Sequence, residues 1–333
     1  MVLDVNELNK NKKEIYSYLW NKNDFDMNVV KTGIKDPSYE FSFSGYSLVD
    51  YIGKSIASTF NIIKNDDCFF RKFKMACSGN GDEIKKITTL HSSSLCSLLF
   101  FFNVDNKKLS FKELEGYEFT QSYFEFKNKV IGYPSNIDVV LLGTNKKTGD
   151  KVILFLESKF SEYITKVGKK EVGISYFKEG SYSFPIYEVL EENKDFDFNK
   201  KTGFNNSQKY NEGLKQMISH YYGIRRFMNG EFMEDKEDIY KDITDYDAKE
   251  IILGEILFDD FSKVDSLKEY LEKYEHDYHS LATIINNQYE NDQNKPKGIT
   301  FKVLTETLHY SSLKDYISEY PQIVKYYFGN RSN

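Results

Sequence analysis

The chain has 333 residues, 40% of them hydrophobic and 16% aromatic, and carries a formal charge of −6. That content supports a packed globular protein of one or two domains and excludes a disordered one. The acidic balance argues against binding nucleic acid by bulk charge, although a local basic face or a bound metal acts where net charge does not.

The start, Met1–Asn6, leads quickly into Asn9-Lys10-Asn11-Lys12-Lys13 and has no apolar signal stretch. Cys68, Cys77 and Cys96 form no CxxC pair, and their scarcity points to a reducing compartment. No segment approaches a membrane span, since Leu95 to Phe102 is apolar but short. A cytoplasmic protein with no membrane partner is expected. The wealth of Asn, Lys, Ile and Tyr fits an AT-rich bacterial coding bias and says nothing of function.

In chain order, residues 1–70 read as a helical region, irregular around Asp36-Pro37-Ser38, with a second helix over Tyr46 to Ile63. Ser78 to Asp82 is a loop. From it Ile84, Ile87, His91, Leu95, Leu98 and Phe102 recur at helical spacing and predict one long helix. Tyr123-Phe124-Glu125-Phe126 is strand-like, and Gly132-Tyr133-Pro134 is a turn. Ile137–Gly143 and Lys151–Lys159 are apolar runs separated by Thr144 to Asp150, a string of turn formers, and predict a β-hairpin. Residues 165–205 read as an insertion. Ser207 to Met228 predicts a helix, Ile251 to Phe258 a buried strand, Leu267 to Asn287 a helix and Gly298 to Leu304 a strand, followed by a C-terminal helix. The expected fold is α/β, a mixed central β-sheet flanked by α-helices.

The hairpin carries the chemistry. Antiparallel pairing through its linker brings Asp138 opposite Leu156 or Glu157, with neighbouring Cβ atoms about 5 Å apart. Glu157 and Lys159, two apart, share a face. Two carboxylates and an amine at one end of an apolar hairpin suit a hard divalent cation and a phosphate oxygen.

Pro134, Asp138 and Glu157-Ser158-Lys159 resemble the PD-(D/E)xK signature of the restriction-endonuclease-like nuclease superfamily, with the proline four residues ahead of the first acid instead of adjacent. Gly79-Asn80-Gly81-Asp82-Glu83 and His91-Ser92-Ser93-Ser94 resemble the first-helix motif of a bacterial branch. Lys215-Gln216-Met217-Ile218-Ser219-His220 resembles the helix after the sheet. The likeness spans roughly residues 78–260.

What the resemblance implies is a restriction-endonuclease-like core over residues 71–333, after a helical N-terminal addition at 1–70. It implies Mg2+-dependent phosphodiester hydrolysis, with Mn2+ as a substitute, on nucleic acid, DNA foremost. Asp138, Glu157 and Lys159 would be catalytic, and Glu83, Asp138, Glu157 and the Ser158 carbonyl would hold the metal. Lys159 would orient water or stabilise charge at phosphorus. His91, Ser93, Glu162 and Gln216 would lie around the site or touch nucleic acid. Double-strand cutting by a one-site enzyme would call for a homodimer.

Read without the family, several of these residues have plainer roles. Glu83 serves equally as a first-turn acid favoured by the helix dipole. His91 fits a hydrogen-bonded core position, Ser92 to Ser94 fit close helix packing, and Glu162 is a ligand or a surface charge. Glu212, Gln216 and His220 form a row that is a cleft edge or a polar flank. Arg225 and Arg226 read as solvated surface charges ahead of contacts to a nucleic-acid backbone, and His276 and His279 have no zinc-like spacing. Two other functions remain open: a catalytically silent module of the same fold that binds nucleic acid or a partner protein, and a phosphoesterase of small nucleotides.

Overall fold

The computed structural model describes residues 10, 11, 14, 15, 18, 19, 67–78, 92–130, 134–165, 198–199, 203–204, 212–233 and 239–329. Two helices precede the sheet, α1 (Asp67–Ala76) and α2 (Ser93–Phe101). Ser92 caps α2, its Oγ accepting the Leu95 N–H at 3.1 Å and satisfying a donor that the first turn leaves open. The long helix predicted from Ile84 is thus corrected: α2 starts at this cap, and the stretch from 79 to 91 lies outside the described residues. From Leu95 to Phe101 α2 is buried on every side, as an unbroken apolar run requires.

Strands β1 (Tyr117–Asn128), β2 (Ser135–Asn145) and β3 (Lys151–Lys159) form an antiparallel meander. The predicted hairpin is β2–β3. Its turn closes with Asn145 N–H donating to Asp150 O at 2.9 Å and Gly149 N–H to Asn145 O at 2.7 Å. Gly149 has φ +79°, a left-handed conformation that costs a residue with a Cβ dearly.

The chain continues through α3 (Glu162–Thr165), α4 (Glu212–Met228) and α5 (Lys241–Thr244) to β4 (Glu250–Leu257), which pairs with β3 in parallel. Helix α6 (Asp265–Asn291) leads to β5 (Thr300–Val303), parallel to β4. Strand β6 (Leu308–His309) pairs with β4 further along, and α7 (Pro321–Phe328) ends the described chain. The result is a mixed six-stranded sheet in the order β1-β2-β3-β4-β5, with β6 also beside β4. The parallel pairs exist because α4 and α6 provide the long crossovers that such pairs need. A separate short pair joins Phe198–Asn199 to Gly203–Phe204, and the rest of the predicted insertion lies outside the described residues.

Helix α4 lays Phe227 on Phe155 of β3 and Phe126 of β1, with ring centroids 5.5 and 5.8 Å apart. Across the molecule Phe100 of α2 meets Tyr310 at 4.8 Å and Tyr327 of α7 at 5.5 Å. Each such side chain contributes about 1.5–3 kcal/mol by leaving water. Gly223 lets α4 approach the sheet closely: a Cβ there would stand 2.6 Å from Asn128 Cβ. Ile15 and Leu19 are buried in the same core, and Tyr18 donates to Asp260 Oδ2 at 2.7 Å, so the described N-terminal positions pack on this sheet-bearing body. Among the described residues no helix is long and apolar enough to cross a membrane.

Candidate active site

The register of the sheet assembles the site. Strands β2 and β3 pair as far as Val139↔Leu156, so the next positions, Asp138 and Glu157, stand opposite each other. At that point the backbone ladder stops and Asp138 takes it over: its Oδ2 accepts the Ser158 N–H at 2.7 Å. A side chain has replaced a strand carbonyl, which marks where β2 parts from β3. On the other flank of β3, Glu157 pairs directly with Glu255 of β4. On the far side of β2, Phe124↔Val139 and Phe126↔Ile137 bracket Glu125 and set it opposite Asp138. Four carboxylates, Glu125, Asp138, Glu157 and Glu255, therefore lie at one level across four neighbouring strands.

Burial makes that arrangement costly. Glu255 is fully buried, Glu157 is 2% exposed and Glu125 5%, while Asp138 keeps partial exposure and is the row's opening to solvent. Lys159, two residues after Glu157 on the same strand, donates to Glu157 Oε1 at 2.6 Å and to the Gln216 side-chain oxygen of α4. His220, one helical turn beyond Gln216, meets Glu157 Oε2 at 2.7 Å through Nε2, and its Nδ1 meets Ser135 Oγ at 2.6 Å. Glu157 is thus held at both oxygens.

The four acids respond differently. Burial alone would raise the Glu157 pKa, but Lys159 and His220 outweigh it and hold the carboxyl down at about 2. Burial raises Asp138 well above the ordinary carboxylate range, and the neighbouring charges of Glu157 and Glu125 push it further. Burial lifts Glu255 to about 7, against the pull of Lys159 and a hydrogen bond from Tyr274. Its Oε1 has no hydrogen-bond partner among the described residues. Burial disfavours the charged Lys159, yet Glu157, Glu255 and Asp138 keep it protonated beyond the usual lysine range. At neutral pH Lys159 is therefore an ammonium, a donor and not a base.

Glu125 also carries a backbone constraint. At φ +53° it sits in the left-handed region, which costs a residue with a Cβ of order 1–3 kcal/mol and interrupts the pleat of β1. Tyr240 pins the turn, its hydroxyl donating to the carbonyls of both Phe124 and Glu125 at 2.9 Å.

Of the residues singled out in the sequence, Asp138, Glu157, Lys159 and Gln216 come together. Ser158 contributes its backbone N–H to Asp138, and its hydroxyl turns away to Tyr310 at 2.7 Å. The Lys159 carbonyl accepts from Phe258 N–H on the β4 side. By strand alternation the Ser158 carbonyl points the other way, toward the fork where β2 leaves. Glu162 folds back to accept the N–H groups of Phe160 at 2.7 Å and Ser161 at 2.9 Å, so it caps the chain entering α3. Ser93 opens α2 and makes no hydrogen bond to the row among the described residues. Glu83 and His91 lie outside the described residues.

Arg225 is a correction. It is buried at 2% exposure, ion-paired with Asp292 and set over the Tyr289 ring, because its position on α4 faces the core and only a carboxylate there makes the burial tolerable. His220, read in the sequence as part of a row that is a cleft edge or a polar flank, faces the site through Glu157. Glu125, Glu255 and Ser135 were not selected from the sequence. The two glutamates did leave a signal there, each a single acid inside an apolar run, Tyr-Phe-Glu-Phe and Leu-Gly-Glu-Ile-Leu.

Among the described residues no group of three or more His, Cys, Asp or Glu side chains is arranged to hold a metal ion. What they offer is a carboxylate pair, Asp138 and Glu157, beside an excess of buried negative charge. That donor set fits magnesium, which keeps several waters and is commonly bound through one or two carboxylates. It does not suit zinc, which takes nitrogen and sulfur ligands in a closed cage. No known family model, no characterised protein and no solved structure matches this chain.

Proposed function

We propose that the chain is a metal-dependent phosphodiester hydrolase, a nuclease acting on DNA, built on a restriction-endonuclease-like core. The observation that carries this reading is the register that sets Asp138 opposite Glu157 with Lys159 bonded to the latter. The order of the parts agrees with the resemblance noted in the sequence: a helix, a hairpin bearing the acid–acid–lysine set, then a helix bearing a glutamine at the lysine.

In this reading Asp138 and Glu157 hold Mg2+, with the Ser158 carbonyl as a further oxygen donor. When bound, the ion supplies neutralisation of the phosphate and a lowered pKa for an attacking water. The protein's own groups do the rest. Lys159, fixed by Glu157 and Gln216, presents its ammonium to a phosphate oxygen, where it strengthens as charge builds at phosphorus. In this reading its role is electrostatic stabilisation and water orientation. Partial exposure of Asp138 provides the approach for the phosphodiester.

The test is cleavage of plasmid DNA by the purified full chain with Mg2+ or Mn2+, beside Asp138→Ala and Glu157→Ala. Cation-dependent nicking by wild type and its loss in both variants is expected. Wild type that neither cuts DNA or RNA nor binds Mn2+ would overturn the reading. One observation favours the silent-module alternative: both Glu157 oxygens already carry a donor. Tight DNA binding without cleavage, and with no heat on Mn2+ titration, would select it. Hydrolysis of mononucleotides in preference to long DNA would select the phosphoesterase.

A further inference from the structure

We propose that His220, oriented by Ser135, is a positioning residue that fixes the carboxylate of Glu157 for cation binding; this rests on the cation-binding reading of Asp138 and Glu157. Three elements contribute one group each: Ser135 opens β2, His220 lies in α4 and Glu157 is near the end of β3. The contacts are 2.6 Å from Ser135 Oγ to His220 Nδ1 and 2.7 Å from His220 Nε2 to Glu157 Oε2. All three residues are buried, at 6%, 2% and 2% exposure. Water therefore cannot substitute for a lost partner at little cost.

The hydrogen-bond roles follow from Glu157. An ionised carboxylate only accepts, so His220 donates from Nε2. In the neutral ring Nδ1 is then the acceptor, and it takes the hydroxyl proton of Ser135. Glu157 thereby selects the tautomer, and the serine hydroxyl, which donates or accepts as needed, holds the ring plane as the outer partner of a histidine does at metal sites.

The consequence for Glu157 is geometric. Lys159 occupies one lone pair of Oε1 and His220 one of Oε2, and a carboxylate has about four. The remaining lone pairs keep fixed directions because the carboxylate is held at both ends. Without His220 the group is held at Oε1 alone and can turn about its terminal bond. Ser135 and Asp138 also share β2, so the strand that supplies one carboxylate anchors the other.

Substitutions at position 220 separate positioning from space-filling. Glutamine places an amide nitrogen near the site of Nε2 and keeps the donor to Glu157, whereas asparagine reaches only the Nδ1 site. Isothermal titration of the full-length protein with MnCl2 is the readout, with urea unfolding as the check on folding. A 10- to 100-fold weaker Mn2+ affinity is expected for H220L and H220N, near-wild-type affinity for H220Q, and a smaller loss for S135A. If H220L does not fold, the contrast of H220Q with H220N decides. Equal Mn2+ affinity in wild type, H220Q and H220N, with binding lost in E157A, overturns the positioning role and leaves the cation site standing. Wild type that takes up no Mn2+ overturns both.

Discussion

Glu255 gives the sharpest energetic prediction. Its carboxyl is raised from 4.5 to about 7 by burial on β4 beside Glu157. Folding therefore favours its protonated form. Below pH 4.5 the group is protonated in both the folded and unfolded chains, and burial carries no ionic cost. As the pH rises toward 7 the unfolded chain gives up its proton while the folded one retains it, so stability falls. Above 7 both are ionised and the full difference is reached. From 4.5 to about 7 this amounts to about 3 kcal/mol, at about 1.4 kcal/mol per pH unit. Glu255→Gln keeps an oxygen for the Tyr274 hydroxyl and cannot ionise. In EDTA, urea unfolding is expected to show the variant more stable by about 3 kcal/mol at pH 8, with the gap shrinking below about 1 kcal/mol at pH 5. A gap that does not change with pH, or a variant weaker than wild type at pH 8, would refute the argument.

Asp138→Asn relieves repulsion from Glu157 and Glu125 while its amide oxygen still accepts the Ser158 N–H, so it should raise the urea midpoint at pH 8 and abolish DNA nicking in the same preparation. Lys159→Ala strips the ammonium from Glu157 and Glu255. It should lose about 3–5 kcal/mol in urea unfolding, as expected when one partner of a buried pair is removed. Gly223→Ala drives a Cβ to 2.6 Å from Asn128 Cβ, and should cost about 1–3 kcal/mol in the same assay and weaken Mn2+ binding by displacing Gln216 and His220.

What could be read from the sequence was local. Thr144 to Asp150 specified a turn, and the apolar runs beside it specified two strands, so the hairpin followed from chain geometry, with Asp138 opposite Leu156 or Glu157; the observed register decides for Glu157. The branched run Ile251 to Phe258 announced a buried strand, but not its neighbour. Parallel pairing of β4 with β3 depends on a crossover whose ends are some ninety residues apart, and no local signal states which strand it will join. The meaning of Glu255 depended on that pairing: an acid in an apolar strand becomes part of a site only once Glu157 is beside it. His220 shows the same limit. Its place one turn after Gln216 was plain, but the partners that define it lie 63 and 85 residues away.

The energetic logic of the row explains why its members differ. One ammonium cannot neutralise four adjacent carboxylates, three of them buried, and the sheet distributes the burden unevenly. Glu157, held by Lys159 and His220, stays ionised down to about pH 2. Glu255, deepest in the sheet, is raised to about 7. Asp138, raised by burial and by both flanking acids, is the member that reaches solvent. A divalent cation arriving from that side meets one carboxylate already ionised and a second whose ionised form it would stabilise. Binding should therefore release protons. Titration with MnCl2 in buffers of different ionisation enthalpy measures that release directly. A positive count is expected for wild type, and a smaller one for Asp138→Asn. A wild-type count of zero would mean that the cation does not bind where the negative charge has accumulated.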